Sequence, residues 1–194
     1  MSNHENYTRL KRQIALCLVT GVALFSAAPM TYAATSVVGN NTLPQNGQFI
    51  AGSGTISSPA NNSLQLNVHQ KQQNAVIKWG SFDIGGNASV NFTADVNNFN
   101  TLNYVNNGNA SQIYGTINAA GGNIYIVNPA GVQIGNSAQI NVGSLYVSNK
   151  NLDTVINRVQ GDANPDISNL MSLGVRTDAE LMSLGNINAD TVIF

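Results

Sequence analysis

Few side chains of this 194-residue chain are of a type and spacing that could do chemistry. Beyond residue 33 the one histidine is His69, which stands beside Gln70, Lys71 and Gln72 and reads as a solvated loop residue, not a base. The eight carboxylates beyond that point are scattered, with no close pair in the strand segments to split acid and base roles in glycoside cleavage. No His-Glu-x-x-His, Gly-x-Ser-x-Gly, phosphate-loop or EF-hand spacing occurs. Gly121-Gly122-Asn123 opens like a calcium nonapeptide repeat, but the Asp such a repeat needs is missing. The expectation is therefore no enzyme, no cofactor and no metal. Trp79 is the only tryptophan. Beside Gly80 it could stack on a sugar; sharing a strand with Val76 and Ile77, with Ile84 after the next turn, it reads better as core.

What remains is chemistry of the backbone. Asn128-Pro129-Ala130-Gly131 has the make-up of a type I turn: Asn bonds its own backbone further on, Pro presets φ, and Gly tolerates the exit. Ile124-Tyr125-Ile126-Val127 before it is too short and too stiff at χ1 for a helix and suits a strand covered on both faces. Val132-Gln133-Ile134 resumes in alternation. Similar strand-length runs recur between Asn and Gly: Ala75 to Trp79, Ser89 to Thr93, Ser111 to Ile117, Ala138 to Val142 and Ser144 to Val147. With 28 Asn between Ala34 and Phe194, nearly every turn can be capped by an Asn side chain. That composition also occurs in disordered chains, against which the recurring apolar runs argue. Many short strands with polar turns allow a sandwich, a barrel or a β-solenoid. The repeated phrases Gly54-Thr-Ile-Ser57, Gly115-Thr-Ile-Asn-Ala119 and Gly185-Asn-Ile-Asn-Ala189 lean to the solenoid, with each Ile inward and each Asn or Thr stacked on the next rung. On that reading the chain holds about four to eight coils.

Asn149 to Leu184 reads as an excursion from the coil. Asp153 to Val159 suggests a short helix capped by Asp153, and Asn164-Pro165 marks a turn. Leu-Met-Ser-Leu-Gly occurs at 170–174 and again at 181–185, either by chance or as two strands or edges packing on the solenoid. The coil is expected to resume at Gly185. The chain ends on Thr191-Val-Ile-Phe194, apolar and without the polar cap a last coil needs, which suggests the start of a longer protein or a truncated reading frame.

Residues 1–33 read as an export signal: Arg9, Lys11 and Arg12 form a positive start, Ile14 to Phe25 an apolar run, and Thr31-Tyr32-Ala33 a cleavage site. The apolar run is shorter than the roughly 20 residues a bilayer span needs, so no permanent membrane span is expected. Cys17 leaves with the signal, and with it any disulfide or thiol chemistry. With 9% charged residues against a usual figure of about 25%, the chain has no electrostatic footing for nucleic acid.

The turn, with Val132, resembles the Asn-Pro-Asn-Gly-Ile motif of the filamentous haemagglutinin family, whose N-terminal domain is exported by the two-partner route. Asn74-Ala-Val-Ile-Lys-Trp-Gly-Ser-Phe-Asp-Ile-Gly85 resembles that family's upstream tryptophan segment, and Thr101-Leu-Asn-Tyr-Val105 its next block. Two departures stand out: Ala130 and Val132 replace the usual Asn and Ile, and Asn97-Asn98-Phe99-Asn100 stands where an Asn-Pro-Asn-Leu motif is expected. The resemblance covers roughly Thr35 to Val147. It implies an all-β, right-handed parallel β-helix over 34–194. It also implies that Asn128, Pro129, Ala130, Gly131 and Val132 are needed for secretion, while the strand pattern itself marks Trp79, Ile84, Ile124 and Ile126 as core. The partner it implies is the periplasmic part of an outer-membrane β-barrel transporter. Contact with a host-cell glycan or receptor would fall to downstream repeats. A different class stays open: a self-contained glycan- or ligand-binding surface protein using Trp79 and the Asn-rich face.

Overall fold

The computed structural model describes residues 38–194, so the expected export signal lies outside the described residues. The described chain is a parallel β-solenoid of about four turns, with strands numbered here in chain order. The first face is built from β2 (Gly54–Ser57), β3 (Gln65–Gln70), β5 (Ser89–Ala94), the first half of β8 (Thr116–Val127), the first half of β10 (Gln139–Ser148) and β14 (Asn186–Asn188). The second takes β1 (Gln48–Ala51), β4 (Asn74–Trp79), β6 (Asn100–Val105), the later halves of β8 and β10, and β15 (Thr191–Ile193). The third, narrower face starts with the bridge from Ile84 to β7 (Ser111–Ile113) and continues through β9 (Val132–Ile134) and β13 (Leu181–Ser183). Gln65, Ser89, Thr116, Gln139 and Asn186 therefore stand one above another.

The pairings from one coil to the next are parallel, whereas β1 and β2 run antiparallel to β4 and β3. They close the open edge of the first coil, where unpaired backbone groups would otherwise invite another chain. The phrase Gly54 to Ser57 is thus a capping strand and not a rung, because local alternation fixes which side chain faces in but not the direction of the partner. The run Ser111 to Ile117 is likewise divided by a corner. Tyr114 and Gly115 both donate to the Ile84 carbonyl, at 2.7 and 3.1 Å, and a Cβ on Gly115 would meet two backbone oxygens at 2.3 Å. Conversely, Ile124–Val127 is the end of one long strand with Thr116, and Ala138–Val142 and Ser144–Val147 fall largely in one strand, β10.

Period-2 alternation drives the inner residues of every rung into one core: Ile77, Trp79, Ile84, Val90, Ile113, Ile117, Ile124, Ile126, Ile134, Ile140 and Leu145 are all buried there. Each such side chain contributes about 1.5–3 kcal/mol when it leaves water. On the outside of the first face, the amide of Asn118 donates to Asn91 at 2.9 Å, and that of Asn141 to Asn118 at 3.1 Å. A second row at the neighbouring corner links Asn123 to Asn100 and Asn100 to Asn74, at 3.0 and 2.7 Å.

The second face is covered on its outside as well. Between β10 and β13 the chain leaves the coil, forming β11 (Lys150–Asn151), α1 (Asp153–Ile156), a 3-10 turn, α2 (Ile167–Leu173) and β12 (Val175–Arg176). Leu152, Val155, Ile156, Ile167 and Leu170 pack on the outer side chains Val76, Leu102, Tyr104 and Val127 as a second core. Three expectations change here. Leu152, not Asp153, is the N-cap of α1, and it makes no side-chain cap; Asp153 instead accepts from Tyr104. The first Leu-Met-Ser-Leu-Gly lies on α2, whose N-cap Asp166 accepts from Asn169 at 2.9 Å, whereas the second forms β13. The coil accordingly resumes at Leu181, ahead of Gly185, because residues 181–183 pair with β9.

Candidate functional site

The turn after β8 is a type I turn, as its composition predicts: the Gly131 amide donates to the Asn128 carbonyl at 2.9 Å, and the Asn128 Oδ1 accepts from the Ala130 amide at 2.9 Å. Gly131 sits at φ +106°, a conformation side chains resist, and a Cβ there would lie 2.5 Å from the Glu180 carbonyl. Asn128 is wholly buried. Its Nδ2 donates to the Asn109 carbonyl at 2.9 Å and to Ser111 Oγ at 3.0 Å, both on the coil below. The coil above holds the other side, where the Asn128 amide donates to the Ser148 carbonyl at 3.0 Å.

The return of the excursion closes over the turn. Thr177 Oγ1 donates to the Pro129 carbonyl at 2.6 Å, and the Val132 amide donates to the Glu180 carbonyl at 3.1 Å. Asn149, one coil above Asn128, fixes that return by donating to the carbonyls of Thr177 and Ala179 at 2.7 and 2.9 Å. Its own Oδ1 is buried without a hydrogen-bond partner. The turn is expected from the sequence; Ser111, Asn149, Thr177 and Glu180, which enclose it, are not. One signal was available: Ile124-Tyr-Ile-Val-Asn128 and Leu145-Tyr-Val-Ser-Asn149 are similar phrases that pair across β8 and β10, each ending in Asn. The finished turn thus commits nearly all its backbone groups.

Two of the segments that carry the family resemblance are joined through the core to the strand that leads into the turn. Trp79 Nε1 donates to Asn103 Oδ1 at 3.0 Å, and Asn103 Nδ2 donates to the Tyr125 carbonyl at 3.2 Å, linking β4, β6 and β8. The ring of Trp79 is buried, meets Phe82 edge-on at 5.4 Å, and has Gly47 against it so closely that a Cβ would sit 2.3 Å away. No face of Trp79 is open to a sugar. Ile84, Ile124 and Ile126 are fully buried. Phe99, in the segment where the second motif was sought, packs its ring on Gly122, and Asn98 before it takes φ +54°.

Several titratable groups tie neighbouring segments together. His69 lies on β3, not in a loop, and bridges Thr93 and Asp95 at 2.9 and 3.0 Å on the exposed side. Burial raises the Asp83 carboxyl above its ordinary value, against the lowering effect of the Gln112 amide that it accepts. Burial likewise raises the phenol of Tyr104, whose oxygen accepts from the Leu152 amide and donates to Asp153, at 3.1 and 2.9 Å. Tyr125, stacked on Tyr146 at 4.3 Å, is pushed up to about 12, chiefly by burial. Among the described residues no three His, Cys, Asp or Glu come together as a metal would require, and no helix is long and apolar enough to cross a membrane.

Comparison with known proteins places this geometry. Residues 35–164 match the family model described as the TPS secretion domain. A heme/hemopexin-binding protein of Haemophilus influenzae strain Rd is 33% identical over 159 residues, which cover 82% of this chain and 17% of that protein. A second Haemophilus influenzae protein of that description is 32% identical over 140 residues, 72% of this chain and 14% of its own. The chain thus spans less than a fifth of the length of these relatives. The crystal structure of the HMW1 secretion domain from Haemophilus influenzae shares the fold, with a TM-score of 0.59 at 23% identity over 75% of this chain and 36% of that one.

Proposed function

Since the chain belongs to the TPS secretion domain family and is a secretion module of an exported protein, we propose that its partner transporter reads the segment Asn128–Val132 before the fold is complete. The reading is carried by the enclosure of Asn128: in the finished domain its side chain is inaccessible, and the Pro129 carbonyl and Val132 amide are already bonded. A periplasmic domain of the transporter therefore meets these groups on an extended or part-coiled chain, by main-chain pairing that asks little of charge. Beyond the outer membrane each completed coil offers the next a paired edge, so folding favours onward movement. No catalytic step is part of this function. In this proposal an export signal precedes the domain, and adhesion to a host glycan or receptor belongs to segments outside it.

The experiment is secretion of the chain with and without its co-expressed transporter, for the wild type, for Asn128→Ala with Gly131→Pro, and for Ile140→Ala. Ile140→Ala weakens the core without touching the turn. Transporter-dependent release that survives Ile140→Ala and is lost with the turn variant supports the reading. Equal release of all chains, or equal loss with both variants, overturns it and leaves the turn a structural corner.

A further inference from the structure

Resting on that reading, we propose that the upper edge of β9 is the seat for an extended strand of the transporter, and that residues 177–184 later take this seat and end the contact. The three faces of the coil close at different points along the chain. On the first and second faces, β8 is covered by β10, which follows β9 almost at once. On the third face β9 is covered by β13, and the whole excursion intervenes. A chain folded as far as Ile134 therefore completes two faces with its next residues while β9 still shows an edge.

That edge is specific. The lower side of β9 is used by β7, through Ser111 to the Gly131 carbonyl at 3.1 Å and Gly135 to the Ile113 carbonyl at 2.8 Å. The upper side offers the Val132 amide and the Ile134 carbonyl, which in the finished fold meet the Glu180 carbonyl and the Leu184 amide at 3.1 and 2.8 Å. The Pro129 carbonyl, which ends on Thr177 Oγ1, extends the row of groups into the turn. An open row of donors and acceptors next to a rigid turn is what a partner strand adds to. A strand of the transporter and the segment ending in β13 would use the same groups, so only one can be seated. The chain's own segment is tethered, which gives it the higher effective concentration once the excursion docks. The pair of bonds from Asn149 to Thr177 and Ala179 guides it there. Closing so long a loop lags behind the local pairings, and the lag leaves time for the transporter to hold the chain.

The test dilutes the full chain from urea onto immobilised periplasmic domains of the partner transporter, following Trp79 fluorescence for folding and hydrogen exchange for pairing. The wild type is captured and then released as it folds. The Thr177→Val, Leu184→Pro double variant, stripped of two bonds to the seat, stays bound roughly five- to ten-fold longer. In the captured wild type the Val132 amide is protected while the Leu184 amide is not; after release both are. Equal residence of the two chains, or an unprotected Val132 amide in the complex, overturns this inference and leaves the secretion reading standing. Should the double variant fail to fold, the exchange pattern of the captured wild type decides alone. Capture of no chain at all removes the secretion reading and this one with it.

Discussion

Asn128 and Asn149 occupy the same place one coil apart, each following a second-face strand end that pairs Val127 with Ser148. Below, Asn128 closes a turn within its own coil and every polar atom of its side chain is bonded. Above, Asn149 gives its amide to a segment that returns from outside the coil, and its Oδ1 is left unpaired. One residue type at one position thus does two jobs. The solenoid accepts an inserted segment where an asparagine exchanges its turn for a clasp, at the cost of one buried acceptor.

Replacing each asparagine in turn separates the two jobs. Asn128→Ala orphans buried partners on two sides and should lower stability by about 3–5 kcal/mol, read as a fall in the urea midpoint of Trp79 fluorescence. Asn149→Ala removes two bonds but also an unpaired acceptor, so its cost should be about 1–2 kcal/mol. A loss as large as that of Asn128→Ala would show that the clasp and not the turn holds this corner. Thr177→Val, which removes the hydroxyl shared between the Pro129 and Asn149 carbonyls, should cost about 1 kcal/mol. Combined with Asn149→Ala it should cost less than the sum by about 0.5 kcal/mol or more, because both act on the same return segment.

The smallest effect is in pH. Tyr104 anchors the excursion through Leu152 and Asp153, and its phenol, like that of Tyr125, ionises later in the fold than its ordinary value of 10.0. A raised folded-state pKa means that the unfolded chain loses its proton first. The stability these phenols contribute is therefore complete below pH 10 and drains away as pH rises, through about 12 for Tyr125. Urea midpoints at pH 9 and pH 11 should differ in the wild type and differ less in Tyr104→Phe, since one late-ionising group is gone. An undiminished pH effect in that variant would mean that the excursion is held without Tyr104.

How much of this was legible before the structure depends on whether the cause was local. The turn at Asn128 was legible because Asn, Pro and Gly each act on their own backbone. The strand content and inward isoleucines were legible because alternation with a period of two needs no knowledge of a partner. Leu-Met-Ser-Leu-Gly marks the limit: the same five residues form the end of α2 behind an Asp166 cap and, eleven residues on, a strand beside β9. Caps and waiting edges decide between those outcomes, and both lie outside the five residues. The antiparallel seating of Gly54–Ser57, the place of Asp153 and the enclosure of the turn by Thr177 and Glu180 share that cause, since each depends on residues distant in the chain.

The stacked asparagines of the first face carry one more consequence. Each amide nitrogen points back toward the coil before it, from Asn141 to Asn118, from Asn118 to Asn91, and more loosely from Asn91 to Asn67 at 3.4 Å. The side-chain dipoles are therefore aligned head to tail, and aligned amides polarise one another. The row has a sign: it presents oxygen in the direction of chain growth, so Asn141 faces Asn188 with an acceptor already set. A strand arriving one residue out of step would bring Ile187 or Ala189 out to that oxygen and turn Asn186 or Asn188 toward the core, where its amide would lose its partners. Solenoids are exposed to slippage because their rungs are alike, and here the asparagines act as a scale engraved along the outside, checking each new coil against the last.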